Sequence, residues 1–254
     1  ENLAEAAATG ATAGIPLMYP FANRLAGTHY RALGKQVALD PRSPLLSRDE
    51  QGLIIHGVRW ASLCFDVTAV RADRIVAHLD WSANELLAIY PFRHRIEIAV
   101  SLDPHVLCIE TTIHAEEALP VSFGFHPYFG LPGLARTDWR LALPPMQRLV
   151  LDARRIPTGA EVPFAAPERQ LADWDCDAGF AVAPDAVFSL SGAGRRISLE
   201  LEANYRYAQI FAPVGRDFIA LEPMTAAANA LVTGHGLAIA EPGRAFRAGF
   251  RIRF

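Results

Sequence analysis

Apolar and polar residues alternate with period two in short stretches along most of the chain, and sustained helical periodicity is nearly absent. In AFRAGFRIRF, residues 245 to 254, Phe246, Phe250, Ile252 and Phe254 fall on one face and Arg247, Arg251 and Arg253 on the other. That pattern predicts a half-buried β-strand. Four pairs of such stretches flank reversal signals and predict hairpins. They are RIEIAVSL and VLCIETTIHA around Asp103-Pro104-His105, FSL and RRISLELEA around Ser191 to Gly194, YAQIFA and FIALEP around Pro213 to Asp217, and the two halves of GLAIAEPGRAFRAGFRIRF. Hairpin-linked strands favour an antiparallel sandwich over an α/β sheet, which would need helical crossovers. The expected fold is therefore all-β, a large antiparallel β-sandwich. Segments of roughly 40–55 and 152–180, rich in proline, charge and small residues, read as long loops of the kind that carry function. No repeat or low-complexity tract interrupts the pattern.

Composition narrows the setting. The chain has 254 residues, 51% of them hydrophobic and 20% charged, which suits one soluble globular domain over 1–254 with a large core. The alanine-rich residues 1–13 read as a loosely ordered lead-in. Glu1, rather than methionine, comes first, so a leading segment is expected to be missing. With 24 basic and 27 acidic residues the chain lacks the positive field of a nonspecific nucleic-acid binder. Cys64, Cys108 and Cys176 form no CxxC pair or regular framework, which points to a reducing, cytoplasmic compartment. No run approaches the roughly 18 apolar residues of a membrane span, so no membrane partner is expected.

FGFHPYFGLPG, residues 123 to 133, sets His126 among aromatic residues and before Pro127. Phe123, Phe125, Tyr128 and Phe129 would give the imidazole apolar walls, and it could do acid–base work or simply be a satisfied polar guest. In LEPMT, Glu222 follows the apolar FIAL and precedes Pro223, which predicts a strand end with the carboxylate at its mouth. An edge charge that discourages aggregation is the competing reading. IHGVRW places His56 beside Gly57 and near Trp60, either for sugar hydroxyls or for the core. PFANRLAG places Arg24 beside Asn23, as a fork of donors for a polyol or as half of an internal ion pair. DWDCDAGF offers Asp173, Asp175 and Asp177. GxGxxG, P-loop, GxSxG, HExxH and H-x-H signatures are all absent, which disfavours nucleotide, serine-hydrolase and metal chemistry.

Taken in order, GIPLMYPFANRLAG, IHG, FGFHPYFGLPG, CDAGF and LEPMT resemble the aldose 1-epimerase family, the galactose mutarotases, over nearly the whole chain. The resemblance implies a galactose mutarotase-like supersandwich with an open cleft. It also implies an enzyme without cofactor or metal that interconverts the α and β anomers of a free aldohexose. His126 and Glu222 fall on the family's catalytic histidine and carboxylate, and Arg24, His56 and Asp177 on positions that bind sugar hydroxyls; Asp175 is the competing alignment. In that scheme Glu222 takes the proton of the anomeric O1 hydroxyl, protonated His126 delivers one to the ring oxygen O5, and the roles reverse on closure. The partner is a small-molecule sugar, acting on a monomer or homodimer. The Phe123-Gly124-Phe125 flank stands where Asn or Thr is common, and the family's opening strand is expected to be missing or redesigned. Two rival readings keep the fold: a hexose-6-phosphate 1-epimerase, which needs more cationic groups than Arg24, and a sugar-binding module without catalysis.

Overall fold

A computed structural model describes residues 3–9, 11–165 and 168–254. Two large antiparallel sheets dominate them. The nine-stranded sheet runs from Arg169–Gln170 through Arg140–Ala142, Val187–Gly192, Arg195–Leu201, Phe246–Arg253, Val106–Ala115, His94–Asp103 and Arg74–Trp81 to Asp66–Val70. The eight-stranded sheet has Ile219–Met224 and Tyr207–Ala212 at its centre. Cys176–Val182, Met146–Leu151 and Pro157–Phe164 extend it on one side, and Gly124–Phe125 with Leu17–Met18 on the other. Tyr128–Phe129 also pairs with Ile219–Met224.

Period two explains how the layers meet. Phe125 of the eight-stranded sheet and Phe123, just before its strand, turn inward onto Phe250 and Phe246 of the other, with centroids 5.3 and 6.5 Å apart at the inclined angles that aromatic pairs favour. Trp81, Trp139, Tyr90 and Tyr205 fill the same interior. In Phe246–Arg253 the three arginines are exposed while Ala248, Phe250 and Ile252 are buried. Phe254, expected on the inner face, lies past the strand end and is 54% exposed.

Three expected hairpins form: His94–Asp103 with Val106–Ala115, Val187–Gly192 with Arg195–Leu201, and Tyr207–Ala212 with Ile219–Met224. The fourth does not. Ala238–Ala240 pairs with Leu119–Val121, and only a Glu241–Arg244 bridge spans the turn. Turn residues mark where the chain reverses, but the ladder a strand joins is set by long-range packing.

The expected 152–180 loop is also corrected, because it contains Pro157–Phe164, Arg169–Gln170 and Cys176–Val182. Pro157–Phe164 is a sheet edge exposed along nearly its whole length, so it has no buried face to impose alternation, and an edge tolerates its prolines. The 40–55 segment likewise contains the short strand Leu46–Arg48 and the start of Ile54–Val58. Leu3–Thr9 of the lead-in forms a short helix. Among the described residues no helix is long and apolar enough to cross a membrane.

Candidate active site

The strand holding Glu222 does not end there; it runs through Pro223 to Met224. Its neighbour on one side is Gly124–Phe125 and then Tyr128–Phe129, with the pairing interrupted between them. Leu221 N–H reaches Pro127 O and Thr225 N–H reaches Phe123 O, so alternation aims the ring nitrogen of Pro223 at that same side, inside the interruption. Proline's missing donor therefore falls where the ladder is already broken.

The register builds the site. Gly124 is opposite Met224 and Tyr128 opposite Ala220, so His126 between them falls opposite Glu222. Glu222 is opposite Gln209, and Gln209 opposite Gly179. The adjacent row reads Tyr128, Ala220, Phe211, Asp177. Residues directly opposite on an antiparallel sheet share a face, so both rows project together. Small residues leave room between them: a Cβ on Gly179 would sit 3.1 Å from Gln209 Oε1, and Ala220 separates Tyr128 from Phe211. His126 Nε2 lies 3.2 Å from Glu222 Oε1. The imidazole stacks on Tyr128, centroids 4.6 Å apart, with Phe211 at 6.4 Å.

A second wall comes from the segments around Arg24 and His56. Asn23 adopts φ 58°, a left-handed conformation its short polar side chain tolerates, and its Oδ1 accepts from Arg24 N at 2.9 Å and Arg24 Nη1 at 3.2 Å. His56 and Gly57 follow with φ 63° and 67°. Glycine is required at the second position, since a Cβ there would stand 2.2 Å from Tyr19 O. This turn brings the His56 ring edge-on to His126, centroids 5.4 Å apart.

All five expected site residues, Arg24, His56, His126, Asp177 and Glu222, line one cavity of about 370 Å³. Asp173 and Asp175 are exposed ahead of the strand, whereas Asp177 lies on its site-facing row, which separates the competing alignments. The expected aromatic walls need correction. Only Tyr128 of the four lines the cavity; Phe123, Phe125 and Phe129 are buried, since neighbours in a strand alternate between faces. Phe211 and Trp60 supply the remaining aromatic lining.

Arg24 is held in an internal network. Its Nε donates to Asp49 Oδ2 at 2.7 Å, and Nη2 lies 3.7 Å from Asp177 Oδ2. Burial alone would raise the Asp49 carboxyl, but hydrogen bonds from Arg24, Leu53 N and Gln51 N outweigh it and hold the group below the ordinary carboxylate value. Asp177 accepts from Arg155 Nη1 and from Gln209 Nε2, each at 2.5 Å. Asp49, Arg155 and Gln209 were missed from sequence. Gln209 left a signal, as the lone polar residue in the apolar YAQIFA, whereas Asp49 and Arg155 are ordinary charges in turns.

Electrostatics single out the central pair. Burial pushes the Glu222 carboxyl well above its usual value, with Asp177 adding to the rise and Arg24 opposing it. Burial lowers His126 to about 4. Both shifts favour neutral forms, so the 3.2 Å contact sets a carboxyl against an imidazole where burial disfavours a resting ion pair. His56 is lowered well below 6.5 by burial, then by His126 and Arg24. Part of that residue is exposed, but Nδ1 is enclosed. Glu222 Oε2 and Nδ1 of both His126 and His56 are buried without a hydrogen-bonding partner among the described residues. Unpaired buried polar atoms are costly, and all three belong to residues that line the cavity.

Such a sandwich, carrying a buried carboxyl–imidazole couple on its cleft, belongs to the galactose mutarotase-like class of isomerase-type enzymes. The chain is a member of the aldose 1-epimerase family, whose model matches residues 2–253. An uncharacterised Escherichia coli K12 protein, YihR, is 23% identical over 261 residues, covering 93% of this chain and 77% of that protein. A galactose mutarotase-like protein from Clostridium acetobutylicum superposes with a TM-score of 0.82 at 16% identity, covering 99% of this chain and 82% of its own. A GalM/aldose epimerase homologue from C. elegans gives 0.79 at 16% identity, covering 100% and 85%. At these identities the structural likeness speaks for the fold.

Proposed function

We propose that the protein is an aldose 1-epimerase that opens and recloses the hemiacetal ring of a free aldohexose with Glu222 and His126. The observation that carries this reading is the couple itself, with Oε1 and Nε2 3.2 Å apart and Oε2 and Nδ1 unpartnered. O1 and O5 of a pyranose are bonded to the same carbon, C1, so an acid and a base serving both must stand side by side. One proton on the couple is the correct inventory. Moving it from Glu222 to His126 gives carboxylate and imidazolium, the base and acid that ring opening needs. Burial opposes that ionised form at rest, whereas polar hydroxyls and Arg24 beside the carboxylate favour it once sugar is bound. Glu222 then takes the O1 proton as His126 protonates O5. Rotation about C1–C2 and the reverse transfers close the ring as the other anomer and restore the couple.

Tyr128, Phe211 and Trp60 offer apolar surface to a pyranose face, while Arg24, His56 and Asp177 address its hydroxyls. The test is anomer exchange of freshly dissolved α-glucose and α-galactose, followed by polarimetry or NMR. The reading expects exchange well above the buffer rate that is lost in His126→Asn. Binding of these sugars without accelerated exchange would refute catalysis and leave a sugar-binding module.

A further inference from the structure

One buried charge takes no part in the chemistry at C1. Arg136 opens a short helical turn, Arg136–Asp138, just ahead of the strand Arg140–Ala142 in the nine-stranded sheet. Its own carbonyl accepts from the N–H of Trp139, whose ring is buried, so the side chain starts from a fixed root. A buried guanidinium is costly unless its donors are met. All five are met here, and every acceptor is a main-chain carbonyl. Nε donates to Ala172 O at 2.9 Å, Nη1 to Arg216 O at 3.1 Å and Phe218 O at 3.2 Å, and Nη2 to Trp174 O and Ala212 O, each at 3.1 Å. The planar fork of arginine can hold such a set at once, whereas lysine gathers its donors on a single nitrogen.

Those carbonyls lie where the strands of the site begin and end. Ala172 and Trp174 lead into Cys176–Val182, which carries Asp177. Ala212 and Phe218 close the turn between Tyr207–Ala212, which carries Gln209 and Phe211, and Ile219–Met224, which carries Glu222. Phe218 backs the cavity wall: its ring meets Tyr128 edge-on, centroids 5.2 Å apart, and Phe211 at 6.3 Å. Tyr128 in turn stacks on the His126 imidazole at 4.6 Å. The same turn is pressed against the chain just past Tyr128, since a Cβ on Gly130 would stand 2.9 Å from Asp217 O. A displaced turn therefore reaches the imidazole through the rings of Phe218 and Tyr128.

We propose that Arg136 is a positioning residue for His126: by clamping the 213–218 turn it keeps Phe218 against Tyr128, and Tyr128 stacked on the imidazole. This rests on the mutarotase reading for its effect on rate, while its effect on His126 is read without turnover. The experiment records the His126 ring protons by NMR, assigned with His126→Asn, alongside kcat and KM for glucose and galactose exchange. It compares the wild type with Arg136→Lys, Phe218→Leu and Tyr128→Leu. Loss of the stacked ring in Tyr128→Leu sets the full ring-current change. Arg136→Lys and Phe218→Leu should move the His126 signals in that direction and lower kcat by about ten- to a hundredfold, with a smaller change in KM. Leu199→Ala, which destabilises the core from the other sheet, should leave those signals in place. His126 signals in Arg136→Lys or Phe218→Leu that coincide with the wild type's, or a kcat within about twofold of it, overturn the proposal. So does an equal movement in Leu199→Ala, which would make the effect one of stability. If Arg136→Lys does not fold, exchange of the Arg136 Nε–H with water in the wild type decides the clamp: slow exchange upholds it, and exchange as fast as that of exposed arginines refutes it. If the wild type accelerates neither sugar, the mutarotase reading fails and the His126 signals alone decide the positioning.

Discussion

Glu222→Gln separates chemistry from stability in one variant. The carboxyl is 1% exposed, approaches His126 Nε2 through Oε1 and leaves Oε2 unpartnered, so glutamine keeps the shape and removes the titrating group. Loss of a positioned general base lowers the rate by about 10²–10⁴-fold, or about 3–5 kcal/mol of barrier. Stability should move the other way. Because burial raises the folded-state value of this carboxyl above its unfolded value of about 4.3, its contribution is fully present below that pH and is lost as pH rises through the raised value. The wild type therefore carries the cost of a buried charge, or of holding a proton, at alkaline pH, and glutamine does not. The assay pairs NMR anomer exchange with thermal unfolding at pH 5 and pH 8. The expected result is a collapsed rate and a Tm difference, variant minus wild type, that is more positive at pH 8. Exchange retained above a tenth of wild type would refute the base role, and a Tm difference equal at both pH values would refute the raised carboxyl.

Further outcomes follow from neighbouring residues. His126, held at about 4 against an unfolded value near 6.5, contributes stability that is lost as pH falls from 6.5 toward 4, at most about 3 kcal/mol; urea titrations should show His126→Asn losing less on acidification than the wild type. His94, also lowered to about 4 by burial, has the same sign, so acid sensitivity should persist in that variant. Gly57→Ala puts a Cβ 2.2 Å from Tyr19 O at φ 67°, and should cost at least about 2 kcal/mol in urea unfolding while displacing His56. Asp49→Ala removes the 2.7 Å partner of Arg24 and should raise KM about tenfold with a smaller effect on kcat, measured by the same exchange assay.

Local pattern made most of the fold legible. Three hairpins followed from alternation and turn residues, because a half-buried strand must repeat every two residues and a reversal needs glycine or proline. Pro157–Phe164 escaped because an exposed edge imposes no alternation, and Ala238–Ala240 was assigned the wrong partner because strand pairing is decided at long range. The resemblance of their segments to a family picked out five residues that line one cavity, but Arg155 and Asp49 left no such signal, since only contact distinguishes a charge on a cavity from one in solvent.

By itself the sequence determined which residue types were available for acid–base chemistry, and an alternation that forces a β-sandwich. Tertiary structure alone decided that His126 stands opposite Glu222 across a ladder broken at Pro223, and that burial raises the carboxyl and lowers the imidazole. The reason is physical: alternation is written in neighbouring residues, whereas desolvation and pairing depend on atoms brought together from distant parts of the chain.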